Sequence, residues 1–123
     1  MSKRNSMSKA EMEIARIVWS LGSASARQVH DELPTARKID FTTVQTYLTR
    51  LEEKGYLKST KQGRAKFFAA KANPDRVARD TVKELVELLF GGDAVPMMRH
   101  LVSDADADEI KSLKSMLDDL DKE

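Results

Sequence analysis

The chain has 123 residues, 41% hydrophobic and 33% charged, a composition that suits one compact core with a satellite module. It has no cysteine, which excludes disulfides, thiolate metal sites and a thiol nucleophile, and no apolar run near the ~18–20 residues a membrane span needs. Its net charge of +1 hides an asymmetry: residues 1–71 hold 14 Lys/Arg against 7 Asp/Glu and residues 72–123 hold 7 against 13, so a basic half suited to phosphate precedes an acidic half with another task.

In chain order, the stretch Met1 to Ser8 is basic and polar and lacks the apolar core of a secretory signal, as expected of a cytoplasmic chain. Ser8 and Glu11 then form a capping-box pattern that opens a first helix. Ile14, Ile17, Val18 and Leu21 fall at i, i+3, i+4, i+7 as one buried stripe, Met12, Ala15 and Trp19 make a second apolar face, and Gly22 stops the helix. Ser25 and Gln28 repeat the box for a short second helix that buries Val29 and Leu33 and ends at Pro34. A polar turn, Thr35 to Asp40, leads into a third helix from about Thr42 to Lys54, with Gly55 as its left-handed cap. Leu57–Lys61 and Ala65–Ala70 then flank a Gln62-Gly63 turn and read as a β-hairpin. Three helices followed by a hairpin is the order of a winged helix-turn-helix.

Asn73-Pro74 starts a fourth helix, with an N-cap followed by proline at the first helical position. It runs to Phe90 and is broken by Gly91-Gly92. Asp93 caps a short helix through Val102, and a last helix begins near Ser103 or Asp104 and ends by Leu120. The acidic run Asp104, Asp106, Asp108 and Glu109 is placed as negative charge at that helix's N-terminus. The fold class expected is therefore mainly α with a small β-hairpin wing: a winged helix-turn-helix over residues 1–72 and a three-helix dimerisation domain over 73–123.

The third helix carries the most informative pattern. Val44, Tyr47, Leu48 and Leu51 form its inward stripe, while Thr42, Gln45, Thr46 and Thr49 share another face at the same spacing. Threonine is a mediocre helix former, so four of them (42, 43, 46 and 49) point to a use other than helix stability. A helix entering a major groove needs short, uncharged, hydrogen-bonding side chains. Threonine offers a hydroxyl to base edges or a methyl to thymine, and glutamine binds adenine bidentately. Gln45 and Thr46 are accordingly expected to contact bases, with Thr42 and Thr43 assisting. Arg27, Arg50, Lys58, Lys61, Arg64 and Lys66 surround that helix and are expected on phosphates, which fix register without reading sequence. Charges on hairpins also serve solubility and edge protection; it is their arrangement around a polar helix face that favours DNA.

In the acidic half, apolar residues recur on all three helices: Val82, Leu85 and Leu89, then Met98 and Leu101, then Ile110, Leu113, Leu117 and Leu120 with the 3-4-3 spacing of a pairing seam. Roughly fifty residues make a marginal free-standing core, so these stripes are expected to pack against a second copy, the arrangement with which helix-turn-helix dimers grip two half-sites. Folding back onto the chain's own winged domain is the alternative.

The chain resembles the penicillinase-repressor (BlaI/MecI/CopY) family over nearly its full length. The carriers are Ala10-Glu11 through Ile17-Val18-Trp19, Ser25-Ala26, Thr46-Tyr47-Leu48-Thr49-Arg50-Leu51, Lys54-Gly55-Tyr56-Leu57, Phe67-Phe68 and Phe90-Gly91-Gly92-Asp93. The resemblance implies an N-terminal winged helix, a C-terminal dimerisation region and repression by binding operator dyads as a homodimer. In the best-known members it also implies a membrane sensor-protease system that triggers repressor cleavage. Two departures stand out. Family repressors of the resistance operators tend to carry basic residues where this chain has Thr42 and Gln45. Their scissile asparagine–aromatic pair corresponds here to His100 and Leu101, so proteolytic induction and the β-lactam connection do not carry over with the rest. The copper-responsive relatives' cysteine motif is missing as well.

An enzyme is not expected, nor a metal or other cofactor. His30, Asp31 and Glu32 are adjacent and point different ways on a helix, His100 stands among apolar residues, and neither a phosphate-cradling glycine loop nor a nucleophile–base signature is present. The competing classes are a winged-helix protein-interaction module, which calls for apolar or acidic residues where Thr42, Gln45, Thr46 and Arg50 stand, and a ligand-sensing regulator, for which the few aromatic residues supply little pocket.

Overall fold

A computed structural model describes residues 6–122; the basic stretch Met1–Asn5 and Glu123 lie outside the described residues. The elements are α1 (Lys9–Leu21), β1 (Ser23–Ser25), α2 (Ala26–Glu32), a single 3-10 turn (Thr35–Arg37), α3 (Phe41–Glu53), β2 (Leu57–Gln62), β3 (Ala65–Ala70), α4 (Pro74–Phe90), α5 (Ala94–Ser103) and α6 (Ala107–Asp121). The chain divides into two compact units between Arg79 and Asp80.

The first unit is a winged helix. Both N-terminal capping boxes form: Ser8 N donates to Glu11 Oε1 at 2.8 Å and Glu11 N to Ser8 Oγ at 3.1 Å, and Ser25 and Gln28 exchange the same pair at 2.8 and 3.2 Å. Each box satisfies backbone N–H groups that a helix start leaves without partners. With the ends fixed, periodicity decides what is buried. Ile14, Val18, Val29, Val44, Leu48, Leu51, Leu57 and Phe68 close one core between α1, α2, α3 and the inner face of the sheet. Leu21, expected in the α1 stripe, is instead 41% exposed, because it is the last helical residue before Gly22 turns the chain away at φ 81°.

The sheet has three strands in the order β1-β3-β2, all antiparallel. The expected hairpin pairs Leu57 with Ala70 through Gln62 with Ala65. Its two-residue turn is Gly63-Arg64, one position later than the Gln62-Gly63 expected: Gly63 has φ 64° and Arg64 a negative φ, the pattern of a type II′ turn with glycine first. Strand β1 is an addition to the expected hairpin.

Asn73 caps α4 as expected, its Oδ1 accepting from the N–H of Asp75 and Arg76 at 2.9 and 3.2 Å. A helix start is not a unit boundary, however. Val77 is 4% exposed within the core of the first unit, so the first turns of α4 belong with the winged helix and the division falls seven residues beyond the expected 72/73.

The second unit comprises the rest of α4 with α5 and α6. Asp93 caps α5 by accepting from Val95 N at 3.1 Å. The last helix begins later than expected: Asp106 and Glu109 form a third capping box, at 2.8 and 3.1 Å, so Asp104 lies in the preceding turn and only Asp108 and Glu109 sit in the first turn of α6. No side chain between residues 80 and 122 is buried. Leu88, Leu89, Leu101 and Leu120 are 73%, 69%, 66% and 57% exposed. Among the described residues no helix is long and apolar enough to cross a membrane.

Candidate nucleic-acid interface

The interface is built from the outer side of α3 and the elements beside it. Val44, Leu48 and Leu51 have no exposed surface and hold the inner side of the helix against the core. Thr42, Gln45, Thr46, Thr49, Arg50 and Glu53 line one shallow surface depression on the opposite side. This is the face expected from the i, i+3, i+4, i+7 spacing, with one exception. Thr43 is half-buried and lies a quarter turn from that face, next to Val44, so it flanks the group instead of joining it.

Hydrogen bonding within the helix sets what this face presents. Thr46 Oγ1 donates to Thr42 O at 3.0 Å, and Thr49 Oγ1 donates to Gln45 O at the same distance. Both hydroxyl protons are engaged, which leaves lone pairs and methyl groups facing outward. Gln45 is exposed, and its side-chain amide makes no hydrogen bond to the protein. The depression is free of charge over its first two turns and ends in Glu53, whose carboxylate repels phosphate.

The segment entering α3 is tied down. His30 Nε2 donates to Ile39 O at 2.8 Å, and its ring meets Phe41 edge-on at 6.2 Å between centroids. Thus α2 holds the residues immediately before and at the start of α3. His30 works as a structural donor, and the described residues contain no group of three or more metal-ligating side chains.

The six expected phosphate contacts are all exposed but do not share one side. Side chains alternate across a strand, so Lys61 and Lys66 lie on the sheet face that also carries the buried Leu57 and Phe68, the face turned toward α3. Lys58 points to the opposite face, and Arg64 occupies the apex of the turn. Lys61 and Lys66 are direct cross-strand partners, and like charges placed opposite one another destabilise a hairpin by themselves. Arg27 and Arg50 flank α3 from α2 and from its own third turn, each over an aromatic ring: Arg27 Cζ is 5.2 Å from the Phe41 centroid and Arg50 Cζ is 5.9 Å from that of Tyr47.

Glu52 is a participant that sequence reasoning missed. Its carboxylate accepts a short hydrogen bond from Ser59 Oγ on β2 and lies 3.4 Å from Lys66 Nζ on β3, so it ties the wing to α3. The Ser59 hydroxyl above all, and the Lys66 ammonium, hold its carboxyl below the usual carboxylate range against the opposing effect of burial. These partners are 7 and 14 residues away, beyond any helical or strand period, so no sequence signal marks them. At the far side of the unit Glu11 is 2% exposed and pairs with Lys54 Nζ at 2.7 Å; Lys54 also donates to Ser6 O. Burial raises the Glu11 carboxyl most, but Lys54 and the Ser8 backbone and hydroxyl together outweigh it, and the net shift is downward.

The sequence profile described as penicillinase repressor matches residues 7–119. The chain belongs to the penicillinase-repressor family. Among curated members of this family and its relatives, the penicillinase repressor of Staphylococcus aureus is 26% identical over 123 residues, covering 98% of each chain. The transcriptional regulator BlaI of Mycobacterium tuberculosis is 29% identical, covering 98% of this chain and 89% of that one. Among solved structures, monomeric Bacillus licheniformis BlaI in complex with the blaP half-operator superposes with TM-score 0.51 and 31% identity, over 61% of this chain and 92% of that one. The penicillinase-repressor family consists of transcriptional repressors, not enzymes, and this chain is one of them.

Proposed function

We propose that two copies of this repressor bind one two-fold symmetric operator, each laying the outer face of α3 in a major groove. Gln45 and Thr46 then meet base edges, Thr42 lies beside them at the start of the helix, and Thr43 reaches the groove wall from the flank. Arg27, Arg50, Lys61, Lys66 and Arg64 meet phosphates around that helix, and Lys58, on the outer sheet face, contributes long-range attraction more than a seated contact. One observation carries this reading: an uncharged, hydrogen-bonding helix face is fully exposed, backed by a rigid core and ringed by cations. A protein-binding module would present apolar or acidic side chains there instead. The half-operator bound by the Bacillus licheniformis relative supports the same use of the winged helix. Acting on operator DNA places the chain in the cytoplasm.

The proposed dimer rests on the second unit, in which residues 80–122 bury nothing while Val82, Leu85, Leu89, Met98, Leu101, Leu117 and Leu120 stand exposed. Ile110 and Leu113 are half-buried within the protomer, and Leu88, Val95 and Met116 extend the exposed set. Apolar surface on this scale needs a cover, and a second copy brings an equal, self-complementary face. As for a sensor protease, the His100–Leu101 bond lies inside α5, so cleavage there first requires that helix to unwind.

The test is selection of bound duplexes from random DNA by the purified chain. The proposal expects an inverted repeat with half-sites centred about 10 base pairs, one helical turn, or a multiple of it, apart. Recovery of a lone half-site, or of no consensus, would overturn it.

A further inference from the structure

The cations nearest α3 are held in an unusual way. Arg27 sits over Phe41, Arg50 over Tyr47, and Lys66 Nζ lies 5.3 Å from the Phe68 centroid, in a chain with only four Phe, two Tyr and one Trp. Away from the interface, Arg37 and Lys54 are paired with the carboxylates of Glu13 and Glu11 instead. Lys66 has both kinds of partner, a ring and Glu52. Among the described residues Arg27 and Arg50 have the ring alone, with no carboxylate within ion-pair distance.

The difference matters for binding a polyanion. A carboxylate that fixes a guanidinium also neutralises it and must be displaced before phosphate arrives. A ring face attracts the cation through its quadrupole, limits the rotamers of a long and otherwise mobile side chain, and leaves the charge and the edge N–H groups intact. The phosphate then meets a pre-positioned donor, and less conformational freedom is lost on binding.

We propose that Phe41 and Tyr47 are positioning residues that hold Arg27 and Arg50 for phosphate contact; this rests on the operator-binding reading above and deepens it. The two rings lie on different sides of α3, so together they set how deeply and at what angle the helix enters the groove.

A double-mutant cycle on the full-length chain tests this, with affinity for the selected operator measured against salt. Arg27→Ala is expected to lower the steepness of log K against log[salt] by about 0.9, the signature of one lost phosphate contact. Phe41→Leu is expected to weaken binding by about two- to five-fold, the range of a surface cation–ring contact, with the salt dependence unchanged because the same phosphates are met. Phe41→Tyr restores affinity. In the Arg27→Ala background Phe41→Leu has no further effect. Tyr47→Leu, Tyr47→Phe and Arg50→Ala form an independent cycle with the same expectations, should Phe41→Leu loosen the start of α3. If the ring substitutions cost the same with and without their arginines, or cost nothing, the inference is overturned while operator binding stands. If Arg27→Ala and Arg50→Ala leave both affinity and salt dependence unchanged, the phosphate assignment fails, and the inference with it.

Discussion

Gln45→Ala separates reading of sequence from everything else the repressor does. The side chain is exposed and its amide is unpartnered within the protein, so its removal creates no cavity and strands no buried group. Surface substitutions of this kind stay within about 0.5 kcal/mol, and alanine is the better helix former, so the melting temperature should hold or rise slightly. The effect is confined to DNA. A bidentate contact to adenine N6 and N7 is worth about 1–3 kcal/mol, and a dimer loses it in both half-sites, so specific binding should weaken by about 2–6 kcal/mol. Binding to random duplex should be unchanged, since phosphate contacts dominate there. Competition titrations of operator against random DNA at one fixed salt concentration measure the ratio directly. An unchanged ratio, or an equal loss on both DNAs, would refute the assignment of Gln45 to a base.

Other outcomes follow from the same structure. Lys61→Ala and Lys66→Ala should each flatten the salt dependence by about 0.9 on every sequence, whereas Lys58→Ala, on the opposite sheet face, should flatten it less; parallel salt titrations rank the three. Glu11 has its carboxyl lowered in the fold, so its contribution is complete above the ordinary carboxylate pKa and disappears as pH falls through the lowered one. Urea denaturation should show Glu11→Gln less stable than the parent by about 2 kcal/mol at pH 7, the range of a hydrogen bond to a charged group, with the gap closing well below pH 4.5. A gap independent of pH would contradict the charge pairing with Lys54. Leu89→Asp with Leu117→Asp, both exposed in the protomer, should sediment as a folded monomer, and a dimer mass would rule out the proposed seam.

What could be read in the sequence was local. The boxes at Ser8/Glu11 and Ser25/Gln28 and the Asn73 cap involve partners within three residues, and all of them form. The identical signal at Asp106 and Glu109 was obscured by the Asp-Ala alternation around it, which moved the expected start of α6 too early. Strand β1 had no signal at all: Ser23-Ala24-Ser25 contains no β-branched or aromatic residue, and it is a strand only because β3, more than forty residues later, pairs with it. The recognition face followed from helical spacing, which also excludes Thr43 once its quarter-turn offset is considered. The wing was harder. Splitting Lys58 from Lys61 and Lys66 requires knowing that Leu57 points inward, and the ties from Glu52 to Ser59 and Lys66 join different elements. The first turns of α4 show the same limit, because Asn73-Pro74 announces a helix while the packing of Val77 decides which unit owns its beginning.

The central claim is that the threonine- and glutamine-bearing face of α3 lies in the major groove of each half-site. Because the chain has no native cysteine, Thr49→Cys places a single DNA-cleaving iron chelate on that face. On the selected operator, the account predicts cuts at two loci related by the site's symmetry and about one helical turn, or a multiple of it, apart. Cuts scattered without regard to the operator, or none from a label that leaves binding intact, would contradict it.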